Sequence, residues 1–573
     1  MQNLSKGFLM KKRLSYLAVM VLFSVTFSYA QQQAPDSATV PADTVQKAAS
    51  PTPEAQSPVP TPDAVPVAPS AETAPAEAPA TEAAKPPAPA TAANKPTFEL
   101  SAGAVTVNDE QWTRIAIGVD VPVWRFGVFF DLEAYLDPQG QFSDKGWEFG
   151  DKPFEALSRK IRYIRYGQET DRLFVKLGGL SNVTLGYGFI VDRFTNMLHY
   201  PDQKLAGMQL YVNDVTPLGL TVQFMGADAL ELDSKYEGGV GAARIAVRPL
   251  RSLNIPIVKN IAIGGMFARD NNVYAPARDW KPSANQNLVK LLDGRNVLTD
   301  TAVVGAFGEA GIDVDRIRQQ NTTEENLRNS KSSFTIYGGD VGVPIIATSL
   351  LSLDVYAQAA IRGDSVHGWG IGAPGVALKV WRMSAGAEYR HIEGSLLPGF
   401  FGPYYLDERL ERSPIISTKV DRLPDVSNSL NGVFGRLGFD VANVLLIDGG
   451  YQYMIGKDES SDQRFELTGN IGSMILQKIP KIKKLEAYLY KTRIGSAIVE
   501  YDSLGAPVSG ADGKFTYDGF FEKTPYLYYG YRLGIELSPG ATLIWDSRFG
   551  YERTANGSLV PNNSVTIQTA VTF

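Results

Sequence analysis

Beyond residue 97, apolar side chains recur at every second position, a period that suits strands with one apolar face and not helices. Ile115, Ile117, Val119 and Val121 alternate with Arg114, Ala116, Gly118 and Asp120. From Leu351 the apolar set is Leu351, Leu353, Val355, Ala357, Ala359 and Ile361, opposite Ser352, Asp354, Tyr356, Gln358 and Arg362. Leu527, Tyr529, Tyr531, Leu533, Ile535 and Leu537 repeat the device opposite Arg532 and Glu536.

A soluble sandwich also alternates, and three features separate this chain from one. Many strand segments span about ten residues, the length a tilted strand needs to cross a bilayer. Tight turns at Trp124-Arg125, Val215-Thr216-Pro217 and Ser538-Pro539-Gly540 alternate with longer polar connections near 137–159, 181–204, 269–332, 393–431 and 494–524. Aromatic residues gather near strand ends, at Trp112, Trp124, Trp369, Trp381, Tyr451, Tyr453, Tyr528 and Tyr551, where amphipathic rings suit a membrane–water boundary. The pattern predicts an all-β fold, a large antiparallel transmembrane β-barrel of about 16–20 strands. An even number of strands would bring both chain ends to the same side.

The first hundred residues are of another kind. Lys11-Lys12-Arg13, an apolar run from Leu17 to Phe27 and the small-residue site Ser28-Tyr29-Ala30 predict a secretory signal peptide over 1–30. Residues 31–96 are dominated by Ala, Pro, Thr, Glu and Ser, a composition that buries too little apolar surface to offset its ordering entropy. They read as a disordered Pro/Ala-rich periplasmic linker, with contact to peptidoglycan as its functional version and an inert tether as the plainer one. The barrel region is 97–573.

Composition excludes several classes of function. The chain has no cysteine, so disulfide, thiol and thiolate–metal chemistry are absent. Its three histidines, His199, His367 and His391, are too few for a His-based metal cluster. The net charge of −6, without a long basic block, argues against nucleic acid as a partner. No nucleophile elbow, metal-ligand spacing or Gly-rich phosphate loop stands out, so neither catalysis nor a cofactor is expected. Asp313-Val314-Asp315 and Asp270-Asn271-Asn272 are oxygen-rich but lack a full calcium-ligand spacing.

The final segment, Ser564 to Phe573, alternates and ends in phenylalanine. Its residues Val565, Ile567, Val571 and Phe573 resemble the assembly signal of Gram-negative outer-membrane β-barrel proteins, and 98–573 resembles such porin-like barrels in overall plan. The resemblance implies a place in the outer membrane among its lipids and insertion by the barrel-assembly machinery. A homo-trimer follows by analogy with porins.

Strand parity turns a set of charges inward, because Arg or Lys facing lipid at midplane would cost roughly 2–4 kcal/mol each. The set includes Arg114, Asp120, Asp131, Glu133, Lys176, Arg244, Asp354, Arg362, Glu388, Arg390, Arg436, Asp448, Arg464, Glu466, Arg532, Asp546 and Arg548. They are candidate pore-lining residues, or else an ion-pair network that stiffens or plugs the wall. The connection 271–332, with helical-looking stretches at Ala302 to Ala310 and Ile312 to Gln320, folds inward as a constriction or caps the outside. Its candidate pore charges are Arg278, Asp279, Lys281, Asp313, Asp315, Arg316 and Arg318. The aromatic run Pro398 to Tyr405 either binds a partner or packs a loop. The expected function is a porin-like channel for passive diffusion of small polar or charged solutes. The alternative is a structural or surface-binding barrel with a plugged lumen, acting through its outer loops or its linker.

Overall fold

The computed structural model describes residues 96–573 apart from 108–109, 138, 144–146, 148–159, 199, 201–202, 233–236, 283, 310–313, 413–415, 442–443, 457–460, 496, 499, 502–506, 509–515, 518, 554–558 and 572–573. The expected signal peptide and linker, His199, Asp313 and Phe573 lie outside the described residues, as do the side chains of Trp112 and Val571.

Alternation holds a set of antiparallel strands: β1 (Thr97–Val107), β2 (Glu110–Val123), β3 (Phe126–Leu136), β4 (Ile161–Tyr166), β5 (Leu173–Gly178), β6 (Gly207–Val212), β7 (Thr221–Gly226), β8 (Val240–Val247), β9 (Ala262–Asp270) and β10 (Phe334–Ala347), four of them (β4–β7) shorter than the ten or so residues expected. They continue as β11 (Leu351–Arg362), β12 (Gly368–Val380), β13 (Met383–Gly394), β14 (Ser429–Val441), β15 (Leu445–Gly456), β16 (Ser461–Ile471), β17 (Ile482–Ile494), β18 (Leu527–Ser538), β19 (Ala541–Arg553) and β20 (Leu559–Val571). The sheet counts 21 strands because a two-residue piece, Phe142–Ser143, extends the outer end of β3. The other twenty form the wall, at the upper limit of the expected range.

Each strand pairs with its neighbours in sequence, in registers such as Ile117↔Leu132, Phe267↔Tyr337 and Leu437↔Gly449. β20 lies beside β1, so the sheet closes on itself. Pro344 falls where the β10–β11 register shifts, a bulge that spares the ladder a missing N–H. Among the described residues, no helix is long and apolar enough to cross a membrane.

The five long connections all fall at one end of the barrel, and the two-residue turns Trp124-Arg125, Trp381-Arg382 and Pro539-Gly540 fall at the other. In bacterial barrels the short-turn end is periplasmic. The tryptophans of the two Trp-Arg turns adopt φ 55° and 52°, conformations a bulky residue rarely takes, and each indole carries the next arginine over its ring at 5.6 and 5.7 Å.

Outside, one face of each strand exposes large apolar side chains, among them Ile117, Phe130, Leu132, Ile245, Phe267, Tyr337, Ile361, Val433, Leu437, Ile455, Trp545 and Ile567. Trp124 and Trp381 mark the periplasmic rim, and Tyr451 and Tyr453 lie on the outer half. Tyr528 departs from the expected girdle. Its parity turns it inward, where its ring stacks on Tyr404 at 4.2 Å.

The connection between β9 and β10 carries α1 (Ala284–Gly294), α2 (Thr301–Glu309) and α3 (Val314–Asn329). These helices share a small core of their own, Val289, Leu298 and Val314. Arg412 bridges Glu324 of α3 to the β13–β14 connection at 2.8 Å, so the segment is tied to another outer loop.

Candidate functional site: the filled lumen

The segment that enters the barrel is 179–206, between β5 and β6, which we call the strap. Leu180, Val183, Leu185, Phe189, Ile190, Val191 and Phe194 on it are each no more than 3% exposed. They pack on inward residues of the wall, including Met225, Ala242, Ala268, Ile336, Ala360, Ile392, Leu430 and Met454, and on Phe400, Phe401 and Tyr405 of the β13–β14 connection. The main hydrophobic core of this protein therefore lies inside its barrel.

Backbone pairing gives the strap its shape. Val183 and Phe194 exchange two 2.9 Å hydrogen bonds, and the stretch after Ile190 runs parallel to Phe401. Asn196 accepts from the Leu180 N–H and donates to the Ala227 carbonyl, both at 2.7 Å. Glycines on the wall make the approach possible. A Cβ at Gly338 would lie 2.5 Å from the Ile190 side chain, and one at Gly342 would overlap the Tyr187 hydroxyl. Tyr187 stacks on Tyr356 of β11 with centroids 4.0 Å apart.

Charges complete the docking around much of the circumference. Asp192 meets Arg436 at 3.3 Å and Arg464 at 3.2 Å, and Arg193 turns the other way to Asp448 at 2.8 Å and Glu466 at 3.2 Å. Glu466 also pairs with Arg436. Lys204 reaches Asp131 at 2.9 Å and Glu133 at 3.1 Å, alongside the Arg114–Glu133 pair at 2.8 Å. The Tyr200 hydroxyl donates to Asp131. Arg548 of β19 donates to the carbonyls of Leu198 and Tyr200.

The remaining inward charges are mostly sealed. Arg244 clasps Asp340 through two 2.7 Å bonds, and Arg390 pairs with Glu388 at 2.6 Å while both are about as buried as core residues. Arg362 pairs with Asp364 at 2.6 Å, and Lys176 lies over Tyr163. Asp354 is buried without a hydrogen bond or ion pair among the described residues. Exposure is greatest near β17–β19, with Arg532 at 38% and Glu486 and Arg548 at 30%, against 26% for Arg436 on β14; Arg532 spans Glu486 at 3.2 Å and Asp546 at 2.8 Å.

At two places the structure selects between the alternatives the sequence left open. Val273 at the base of the connection 271–332 joins the inner core and Tyr274 packs against it, but the helices beyond do not: Arg318 pairs with Asp293 and Asp315 of its own helices, and Arg278 reaches the Ser330 carbonyl. The aromatic run 398–405 packs the lumen, with Phe400, Phe401 and Tyr405 each 1% exposed, rather than offering a surface to a partner. His391 lies on the outer face, bonded to Asn431 at 2.7 Å and packed on Trp369, as its parity implies.

The inward set expected from the sequence did not include Asp192, Arg193, Tyr200, Lys204, Asp340, Asp270 or Arg409, although the alternation of Tyr337 and Val341 already turns Asp340 inward. The last two form a second buried cluster at the outer end, where Arg409 holds Asp270 at 2.6 Å and Glu231 at 2.8 Å and the Tyr405 hydroxyl donates to Asp270. A signal for the strap was present: Val183, Leu185, Phe189, Ile190, Val191 and Phe194 are too apolar for a loop left in water.

A closed antiparallel sheet with an apolar exterior and its charges inside is built for lipid around it. The chain is an outer-membrane β-barrel. No family model matches the barrel, and no curated protein matches it in sequence. Solved structures similar to it include Wzi, a carbohydrate-binding outer-membrane barrel involved in group 1 capsule assembly in Escherichia coli, at 7% identity and TM-score 0.30 over 69% of this chain and 79% of that one. The siderophore receptor PirA of Acinetobacter baumannii is similar at 10% identity and TM-score 0.32 over 84% and 81%. OccAB2 of the same organism is similar at 7% and 0.27 over 83% and 96%. At such scores the likenesses decide nothing about what this barrel does.

Proposed function

We propose that the barrel is closed to free diffusion and works at the cell surface through its outer loops. The observation that carries this reading is the strap. Withdrawing its seven large apolar side chains would cost on the order of 10–20 kcal/mol at roughly 1.5–3 kcal/mol each, so it is a fixture and not a swinging gate. Free passage of polar solutes would require a continuous wet path, and most inward charges are instead consumed in buried pairs.

The second reading is the porin-like one in a narrowed form, a path for small polar or charged solutes along β17, β18 and β19. It draws on the exposure of Glu486, Arg532 and Arg548. Single-channel recording of the refolded protein in a planar bilayer separates the two. Silence at all voltages supports the closed barrel. A small steady conductance whose ion preference moves toward cations in Arg532→Glu supports the narrow path.

The same proposal carries no bond-making chemistry and no cofactor. It keeps the barrel-assembly machinery as the route of insertion, with the exposed Val565 and Ile567 at the start of its signal. Association into trimers and contact of the linker with peptidoglycan remain part of it as open partners.

A further inference from the structure

On the outer half of the wall, one turn folds down the lipid side. Lys491 of β17 shares the outward parity of Leu485 yet is fully buried, because its ammonium donates to the carbonyls of Gly519 and Glu522 at 2.6 Å each. The Gly519 N–H donates to the Glu522 carboxylate at 2.8 Å and tightens the turn. Phe520 then meets Phe465 of β16 edge-on at 5.0 Å. Phe521, beside it, is 87% exposed, more than any other large apolar side chain described.

In water such a phenylalanine is unfavourable, and against acyl chains it is stabilising. Its height suits that setting. Tyr551 lies ten residues along β19 from Ala541, and a tilted strand rises about 25 Å over that span, the height of an apolar belt. At this level Tyr529 and Tyr551 lie side by side on the outer face, Tyr529 stacks on Phe549 at 5.0 Å, and Lys523 lies over the Tyr551 ring at 5.9 Å. Among the described residues Lys523 has no carboxylate partner. An unpaired ammonium and two phenol hydroxyls thus sit at the boundary where lipid phosphates lie, on the same side of the wall as an aromatic surface suited to acyl chains.

We infer that the outer rim of β18 and β19 holds a phosphorylated lipid of the outer leaflet, with Lys523, Tyr529 and Tyr551 at its phosphate and Phe521 among its chains. The phosphate contact is a charge-assisted hydrogen bond made at low local dielectric, where it is strongest.

The test uses the full-length protein, with heat-modifiable gel mobility as the check that each variant is a folded barrel. Wild type is loaded with bis-phosphorylated lipid A, washed by detergent exchange and weighed by native mass spectrometry. The expected result is retained lipid A, several-fold less in Lys523→Glu, and unchanged in Lys483→Glu near the periplasmic rim. Equal retention in wild type and Lys523→Glu would overturn the inference, as would full displacement by inorganic phosphate. In a second arm, Phe521→Trp in vesicles should add fluorescence that chain-brominated lipid quenches. If aqueous iodide quenches that added signal and brominated lipid does not, the inference also fails.

Discussion

Asp228, just past the outer end of β7, accepts from the N–H groups of Ala206 and Leu230 at 3.1 and 3.0 Å. Burial raises its carboxyl to about 6, against the pull of those two donors. A carboxyl raised in the folded state favours folding below its ordinary pKa, and that contribution is lost as pH rises through about 6. The junction of strap and β7–β8 loop should therefore exchange its amides faster above pH 6, and Asp228→Asn should flatten the profile in hydrogen exchange. At the second cluster, Asp270→Ala would leave the Arg409 guanidinium buried beside Glu231 alone, with an expected loss of about 3–5 kcal/mol, read as a lower unfolding midpoint. Parity made the facing of Arg244 and Arg390 legible in the sequence but not their partners. Arg244 meets Asp340, 96 residues on, and no period in a single chain reports such a meeting. Arg390→Glu would put two carboxylates together with Glu388, so its expected outcome is a misfolded barrel rather than a shift in ion preference.

At the level of elements, strands were legible because a two-residue period repeats over each of them. The strap was not, because an inward loop has no period, only an unusual apolar content. The helices were half legible: α2 and α3 fall near the expected stretches, while α1, rich in Asn, Lys and Asp on its open faces, did not stand out. A Cβ at Gly338 would also press on the Ala359 carbonyl at 2.8 Å. Gly338→Leu should therefore force the strap off the wall, at about 1–3 kcal/mol of strain, read as faster proteolysis within 179–206.

For the whole molecule, closure and strand number followed from counting segments of membrane-crossing length. The filling of the lumen did not, because it depends on residues far apart in sequence meeting in the interior, as Asp192 does with Arg464, 272 positions on. Two cores follow from this arrangement, one inside the wall and one within the helical segment. Replacing 284–329 with a short flexible link should leave a barrel with unchanged heat-modifiable mobility, since the inner core does not draw on those helices.

The two Trp-Arg turns join β2 to β3 and β12 to β13, ten strands apart in a ring of twenty, and so face each other across the periplasmic rim. A cylinder footed at two opposite points resists rocking in the plane that contains both. Inclining that way would press one indole into the headgroups and lift the other out of them. It stays free to lean only about the line joining its feet. The barrel's residual motion in the bilayer should therefore be a hinge with a direction, not a wobble.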